Sequence, residues 1–147
     1  MRALIQRAAR AAITIDGEKG GSIGRGLVVL LGVTHTDDMR DVDFLADKCV
    51  DLRIFEDADG KMNLSLADVG GEMMIVSQFT LYGDASHGRR PGFTEAAVPA
   101  VAVPLYEAFI ARCREKVKTV VTGKFGSDMQ VELVNDGPVT LMVESRK

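Results

Sequence analysis

Apolar and polar positions along the chain change period several times, and each change marks an element. Residues 2–15, "RALIQRAARAAITI", alternate with small residues in the middle and read as two strands, closed by the turn pair Asp16-Gly17. "GLVVLLGV" (Gly26 to Val33) is a continuous apolar run and predicts a buried strand. The period then becomes helical. Val42, Leu45, Cys49 and Leu52 recur on one face after the possible N-caps Thr36 and Asp37, which predicts an amphipathic helix of about four turns. Asp59-Gly60 and Gly70-Gly71 punctuate a loop and a short strand.

"EMMIVSQFTL" (Glu72 to Leu81) predicts a second buried strand, and the polar, glycine-bearing "YGDASHGRRPGF" after it predicts a loop of the kind that borders a site. Leu105, Phe109, Cys113 and Val117 form a second helical stripe opening near Pro99, since proline is favoured in a first helical turn. Pro104 removes a backbone donor inside that stripe and predicts a kink or a helix shortened at its front. Strands follow near Thr119 to Lys124, Met129 to Val134 and Val139 to Val143. Asn135-Asp136-Gly137-Pro138 interrupts the last two, and its turn chemistry predicts a hairpin corner.

The order strands, helix, strand, helix, strands predicts an α+β fold. Its core is a mixed, largely antiparallel, barrel-like β-sheet covered by two main helices. The whole chain, 1–147, fits one domain, large enough to bury roughly two-thirds of its unfolded surface. Hydrophobic residues at 46% and charged residues at 27% are an ordinary composition for a soluble protein, and no apolar run reaches the ~18 residues that would span a bilayer. The opening "MRALIQRAAR" lacks the long apolar core of a signal peptide, so a cytoplasmic protein without a membrane partner is expected.

A net charge of -3 excludes a general attraction to polyphosphate, so any nucleic-acid partner requires a local basic patch. Cys49 and Cys113 lie far apart on apolar helical stripes and read as buried free thiols.

Several chemical signatures fail on inspection. The glycines of "GGSIGRGLVVL" lead into a strand and no G-K-[ST] follows, whereas phosphate cradling needs a helix N-terminus. "DADGK" (Asp57 to Lys61) lacks carboxylates at the first and last positions of a calcium loop and reads as a turn. His35 and His87 have no second histidine at metal spacing, so neither metal nor cofactor is expected. Ser77 or Thr80 could act as nucleophile with His87 and Asp84 as base and orienter, but no nucleophile elbow supports it. The other reading of Thr80 is a strand-end hydroxyl.

"SQFTL" (Ser77 to Leu81), "RRPGF" (Arg89 to Phe93), "GKFGSDMQVELVNDGPVT" (Gly123 to Thr140) and the opening "IQR" (Ile5 to Arg7) together resemble the D-aminoacyl-tRNA deacylases, nearly end to end. The alanine-rich "RAARAAITI" and Pro104 depart from the pattern without touching a motif.

The resemblance implies an editing hydrolase that cleaves the ester of D-aminoacyl-tRNA and of mischarged glycyl-tRNA and rejects L-aminoacyl-tRNA. It assigns Ser77, Gln78, Phe79 and Thr80 to the terminal adenosine and the ester. It also implies a homodimer in which Gly137 and Pro138, joined by a cis bond, enter the partner's site, with Asn135 in the same motif. An aminoacyl ester is already activated, so positioning and oxyanion stabilisation can suffice, with the ribose 2'-hydroxyl taking a catalytic part.

Phe125 and Met129 are then adenine-pocket walls, although from chemistry alone ordinary core is at least as good a reading. Arg7 either braces the Gly-Pro loop or is a solvent-facing strand residue. Arg89, Arg90, Lys116, Lys118 and Lys124 are the candidate phosphate contacts. A non-catalytic module binding a tRNA end or other nucleic acid on the same fold is the competing reading.

Overall fold

A computed structural model describes residues 1–146 of the chain. Strand β1 (Arg2–Ile15) is one strand of 14 residues where the alternation predicted two. Its small residues do not break it, because a single partner runs along its whole length. That partner is β8 (Met129–Glu144), antiparallel to β1 from Ile15 opposite Met129 to Arg2 opposite Glu144. The other edge of β1 is shared. β2 (Glu18–Ile23) pairs with its second half across the Asp16-Gly17 turn, and β3 (Gly26–Gly32) pairs with residues 2–8.

After helix α1 (Met39–Asp51) come a small hairpin of β4 (Phe55–Glu56) and β5 (Met62–Leu64) and a short helix α2 (Leu66–Val69) that periodicity did not reveal. β6 (Glu72–Ser77) lies parallel to β3, and β7 (Val120–Thr122), after helix α3 (Pro99–Arg114), lies parallel to β6. Ile23 of β2 and Val121 of β7 pack into one apolar cluster, so the mixed sheet is nearly closed as a barrel.

The continuous apolar runs follow from burial on two sides, since successive strand residues point to opposite faces. Leu27, Val29, Met73 and Ile75 pack with Val42, Leu45, Cys49, Phe109 and Cys113 under the helices. Val28, Met74 and Val76 point the other way and fill the barrel with Ala8, Ala11 and Ile13. The small residues of β1 thus leave room for larger neighbours. Both cysteines are buried and free, as expected, and burial pushes the Cys113 thiol up to about 12. A β-carbon on Gly26 would collide with the Glu72 carbonyl oxygen, so the β3–β6 ladder requires glycine there.

Three boundaries differ from expectation. Helix α1 is capped by Asp38, not Thr36 or Asp37, in a reciprocal box with Asp41. The Asp37 carboxylate is committed elsewhere, 2.7 Å from the amino group of Met1 and 2.8 Å from the Thr34 N–H that donates to it. Helix α3 runs through Pro104 without interruption. The acceptor that loses its bond, the Ala100 carbonyl, belongs to an exposed residue where water can take the place of the missing N–H. Finally, β6 stops at Ser77 because β3 offers its last partner at Leu31, and the chain turns into a 3-10 segment, Phe79–Tyr82.

Asn135 to Val139 is not a hairpin corner. Residues on either side both pair with β1, and the two steps from Gln6 to Ala8 lie opposite five steps from Thr140 to Asn135, so the extra residues loop out of one continuous strand.

Candidate active site

The end of β6 and the 3-10 turn form one wall of a cavity of about 330 Å³. Val76, Ser77, Gln78 and Phe79 line it on that side, facing Phe125, Gly126, Ser127 and Asp128 of the loop before β8, with Met129 and Val131 of β8. The position of the first wall is set by the sheet, since the Gln78 N–H donates to the Leu31 carbonyl at 2.8 Å and extends the β3 ladder by one bond. The opposite wall is tied down by reciprocal bonds between Asp128 and Asp16, at 2.8 and 3.1 Å. Hydrogen bonding within the 3-10 turn begins at Leu81, whose N–H donates to the Gln78 carbonyl at 3.3 Å. The amides of Phe79 and Thr80 therefore have no acceptor inside the turn and remain available as donors.

Side chains refine this wall. The Gln78 amide donates to the Thr80 hydroxyl oxygen, which fixes two of the expected residues against each other. Phe79 is 56% exposed. Beneath the floor, the Tyr106 hydroxyl donates to the Ile75 carbonyl at 3.0 Å and its ring lies 6.1 Å from that of Phe125. Burial pushes Tyr106 up to about 12, so it is a neutral hydrogen-bond donor and not a base.

The second cluster is the looped-out segment of β8. Asn135 holds its ends together: Nδ2 donates to the carbonyls of Arg7 and Val139 at 2.9 and 3.0 Å, and Oδ1 accepts from the Thr140 hydroxyl at 3.1 Å. Asp136, Gly137 and Pro138 are exposed at its tip, and the Gly137–Pro138 peptide is cis. Gly137 adopts φ +118°, and a β-carbon there would approach Val139 Cγ2 to 2.9 Å and Arg7 Nη2 to 3.1 Å.

Arg7 is 5% exposed beneath this tip, which removes the solvent-facing reading. Its Nη1 donates to the Ile54 carbonyl at 2.7 Å, and Nη2 lies 3.5 Å from Glu56. Nε is 3.1 Å from Asp136 Oδ2, near enough for charge attraction but off the line of a hydrogen bond. None of Arg7, Asn135, Gly137 and Pro138 lines the cavity of its own chain.

The profile of the family described as D-Tyr-tRNA(Tyr) deacylase matches residues 4–144. The chain belongs to that family. Among the relatives of this deacylase-family chain, a protein of Geobacillus sp. (strain WCH70) named D-aminoacyl-tRNA deacylase is 60% identical over 147 residues, covering all of this chain and 97% of the relative. One of the same name from Clostridioides difficile (strain 630) is 55% identical over 147 residues and covers all of this chain and 99% of itself. Their names are those of hydrolases. The solved structure of a protein named "c-Myc DNA Unwinding Element Binding Protein" superimposes with a TM-score of 0.94 at 39% identity, covering both chains completely. Another, described as a probable eukaryotic D-amino acid tRNA deacylase, has a TM-score of 0.86 at 18% identity, covers 97% of this chain and 98% of its own, and speaks for the fold alone.

In this deacylase-family chain the proposed triad is not assembled. The Asp84 carboxylate accepts from Ser86 at 2.5 Å, and the Thr80 hydroxyl is engaged by Gln78. Among the described residues no group of three or more His, Cys, Asp or Glu could hold a metal ion, and no helix is long and apolar enough to cross a membrane. Lys116 pairs with Asp51 at 3.3 Å, which engages one expected phosphate contact.

Sequence reasoning missed Gly126, Ser127, Asp128 and Val131 as cavity residues. "FGSD" carries a turn signal, but nothing in it tells which wall the turn will face.

Proposed function

We propose that the protein hydrolyses the ester between a D-amino acid and the terminal adenosine of tRNA, releases free amino acid and tRNA, clears mischarged glycyl-tRNA and spares L-aminoacyl-tRNA. The carrying observation is the unused amide of Phe79 on the wall of a cavity whose opposite side holds Phe125 and Met129, with the unused amide of Thr80 next to it in the turn, outside the lining itself. An aromatic face and a thioether suit a purine base. Water adds to the ester carbonyl, the amides of the turn receive the oxyanion, and the carbon–oxygen bond to the ribose breaks as the departing oxygen takes a proton. The neighbouring 2'-hydroxyl organises the water, which suits a segment, Ser77 to Thr80, that carries no side-chain base, the carboxylate of the lining, Asp128, standing on the opposite wall, and it restricts the substrate to RNA.

Chirality is assigned to Gly137 and Pro138 of a second copy in a homodimer. A filter that accepts many D-side chains works by crowding the direction an L-side chain would take, and backbone atoms do this without a fitted pocket; glycine, having no side chain, passes. Two observations support sharing. The loop tip does not line its own cavity, and β8 is an outer strand with Val134, Leu141 and Met142 exposed, a surface that suits association. Residues 1–147 then act as one cytoplasmic deacylase domain, without a cofactor.

The 39%-identical neighbour, named for binding a DNA unwinding element, favours one second reading, a nucleic-acid binding module without catalysis. Release of D-tyrosine, glycine and L-tyrosine from charged tRNA separates the two. Fast release of D-tyrosine and glycine with L-tyrosine spared is expected; no turnover of any ester overturns the enzyme reading, and equal rates for both enantiomers overturn chiral editing.

A further inference from the structure

The loop between the 3-10 turn and α3 carries features that the reaction above does not use. Its base is pinned by two backbone bonds between Asp84 and Gly92, at 2.7 and 2.8 Å. Arg89 and Arg90 are exposed near its tip and form no ion pair among the described residues.

Phe93 follows directly and packs edge-on against Phe79, with ring centroids 5.2 Å apart and planes at 69°. Phe79 lines the cavity, so the aromatic pair sits at its rim. The far side of Phe93 is also held: Thr94 is bound through its carbonyl to His35 Nε2 at 2.6 Å, and the Thr34 hydroxyl donates to the Glu95 carbonyl at 2.5 Å. Despite this support Phe93 remains 37% exposed and Phe79 more so. Two exposed aromatic rings thus meet at a loop with two arginines free of ion pairs at its tip, while its acidic residues, Asp84 and Glu95, lie at its two ends.

We propose that Phe93, backed by Phe79, is a stacking platform for the unpaired nucleotide that precedes the terminal adenosine, with Arg89 and Arg90 attracting the adjoining phosphates. The inference rests on the deacylase reading of the cavity, which takes up the terminal nucleotide. Stacking suits the site because a base offers its π-face to an exposed ring, and the two adjacent arginines, free of ion pairs among the described residues, favour an anionic strand over an apolar protein surface. The pinned loop and the backing ring fix Phe93 before the strand arrives, which reduces the ordering cost of binding.

The test compares two D-tyrosyl-tRNAs, one intact and one lacking the base on the nucleotide before the terminal adenosine, with wild type, Phe93→Ala and Phe93→Trp. Wild type is expected to lose about tenfold in KM on the abasic substrate. Phe93→Ala should lose a similar factor on the intact substrate and little more on the abasic one, and Phe93→Trp should restore the preference. Kd values for the two uncharged tRNAs, measured in parallel, carry the same comparison without turnover.

Arg89→Ala and Arg90→Ala should each flatten the salt dependence of Kd by about 0.7 in log–log slope. Equal sensitivity of wild type and Phe93→Ala to base removal overturns the platform, as does loss of the dimer in Phe93→Ala by sedimentation, since the ring would then be a subunit contact. A wild type without turnover whose Kd still depends on the base and on Phe93 overturns the deacylase reading and leaves the platform standing.

Discussion

Replacing Arg7 with methionine removes a buried charge and keeps most of the apolar stem, so the effect measures the guanidinium. The Nη1 bond to the Ile54 carbonyl, 2.7 Å long beneath a residue 5% exposed, is a charged hydrogen bond whose loss costs about 1.5–3 kcal/mol, including the carbonyl left without a partner. Glu56 and Asp136 have side chains 56% and 52% exposed, so solvent screening limits each ion pair to at most about 1 kcal/mol. Together these give a loss of about 1.5–5 kcal/mol, a large part of the stability of an ordinary domain.

The assay is equilibrium unfolding in urea at one fixed protein concentration, because any subunit association adds to the apparent stability. The midpoint should fall while the slope stays constant. Arg7→Lys should be intermediate, since a point ammonium cannot replace a fork that addresses three acceptors. Hydrolysis of D-tyrosyl-tRNA should fall in parallel, because the looped-out segment loses its support. An Arg7→Met chain within about 0.5 kcal/mol of wild type would refute the reasoning.

Gly137→Ala introduces a side chain at φ +118° and within 3.1 Å of Arg7 Nη2; a loss of about 1–3 kcal/mol is expected in the same urea assay, with slower release of D-tyrosine, and wild-type behaviour in both would contradict it. Gly26→Ala drives a methyl group into the Glu72 carbonyl and should cost more than about 3 kcal/mol, read as lost amide-exchange protection in residues 72–77. Burial opposes ionisation of Asp41, but hydrogen bonds from Asp38, Ser145 and Arg146 outweigh it and hold the carboxyl below its ordinary value. That stabilisation is complete above the unfolded value of about 3.9 and disappears as pH falls through the lower folded value, so Asp41→Asn should flatten the decline of urea stability below about pH 4. Thr80→Ala should keep most of the deacylation rate while a 2'-deoxy terminal adenosine abolishes it; the opposite pattern would make Thr80 a nucleophile.

Boundaries that depend on local chemistry were legible, and those that depend on a distant partner were not. Periodicity found α1 and α3, and Asp16-Gly17 found its turn, because amphipathic faces and tight turns are written in neighbouring residues. Apolar continuity in Glu72 to Leu81 could not show where β6 ends, since that is decided by where β3 runs out of partners. The same limit made one strand look like two in β1, whose unity comes from β8 more than a hundred residues away.

The site divides along the same line. By itself the sequence, through its resemblance to the deacylase family, singled out the candidate residues as sets: "SQFT" on one segment, "NDGP" on another, Phe125 and Met129 between them. It also determined the two-sided burial of the central strands, through their unbroken apolar runs. Tertiary structure alone decided that Phe125 and Met129 face Ser77 to Phe79 across one cavity, that Arg7 is buried under Gly137, and that Asn135 closes a loop within a strand where turn chemistry had indicated a hairpin. Turn residues specify a reversal or an excursion equally well, because both need the same backbone angles; only the ladder on β1, resumed at Thr140, distinguishes them.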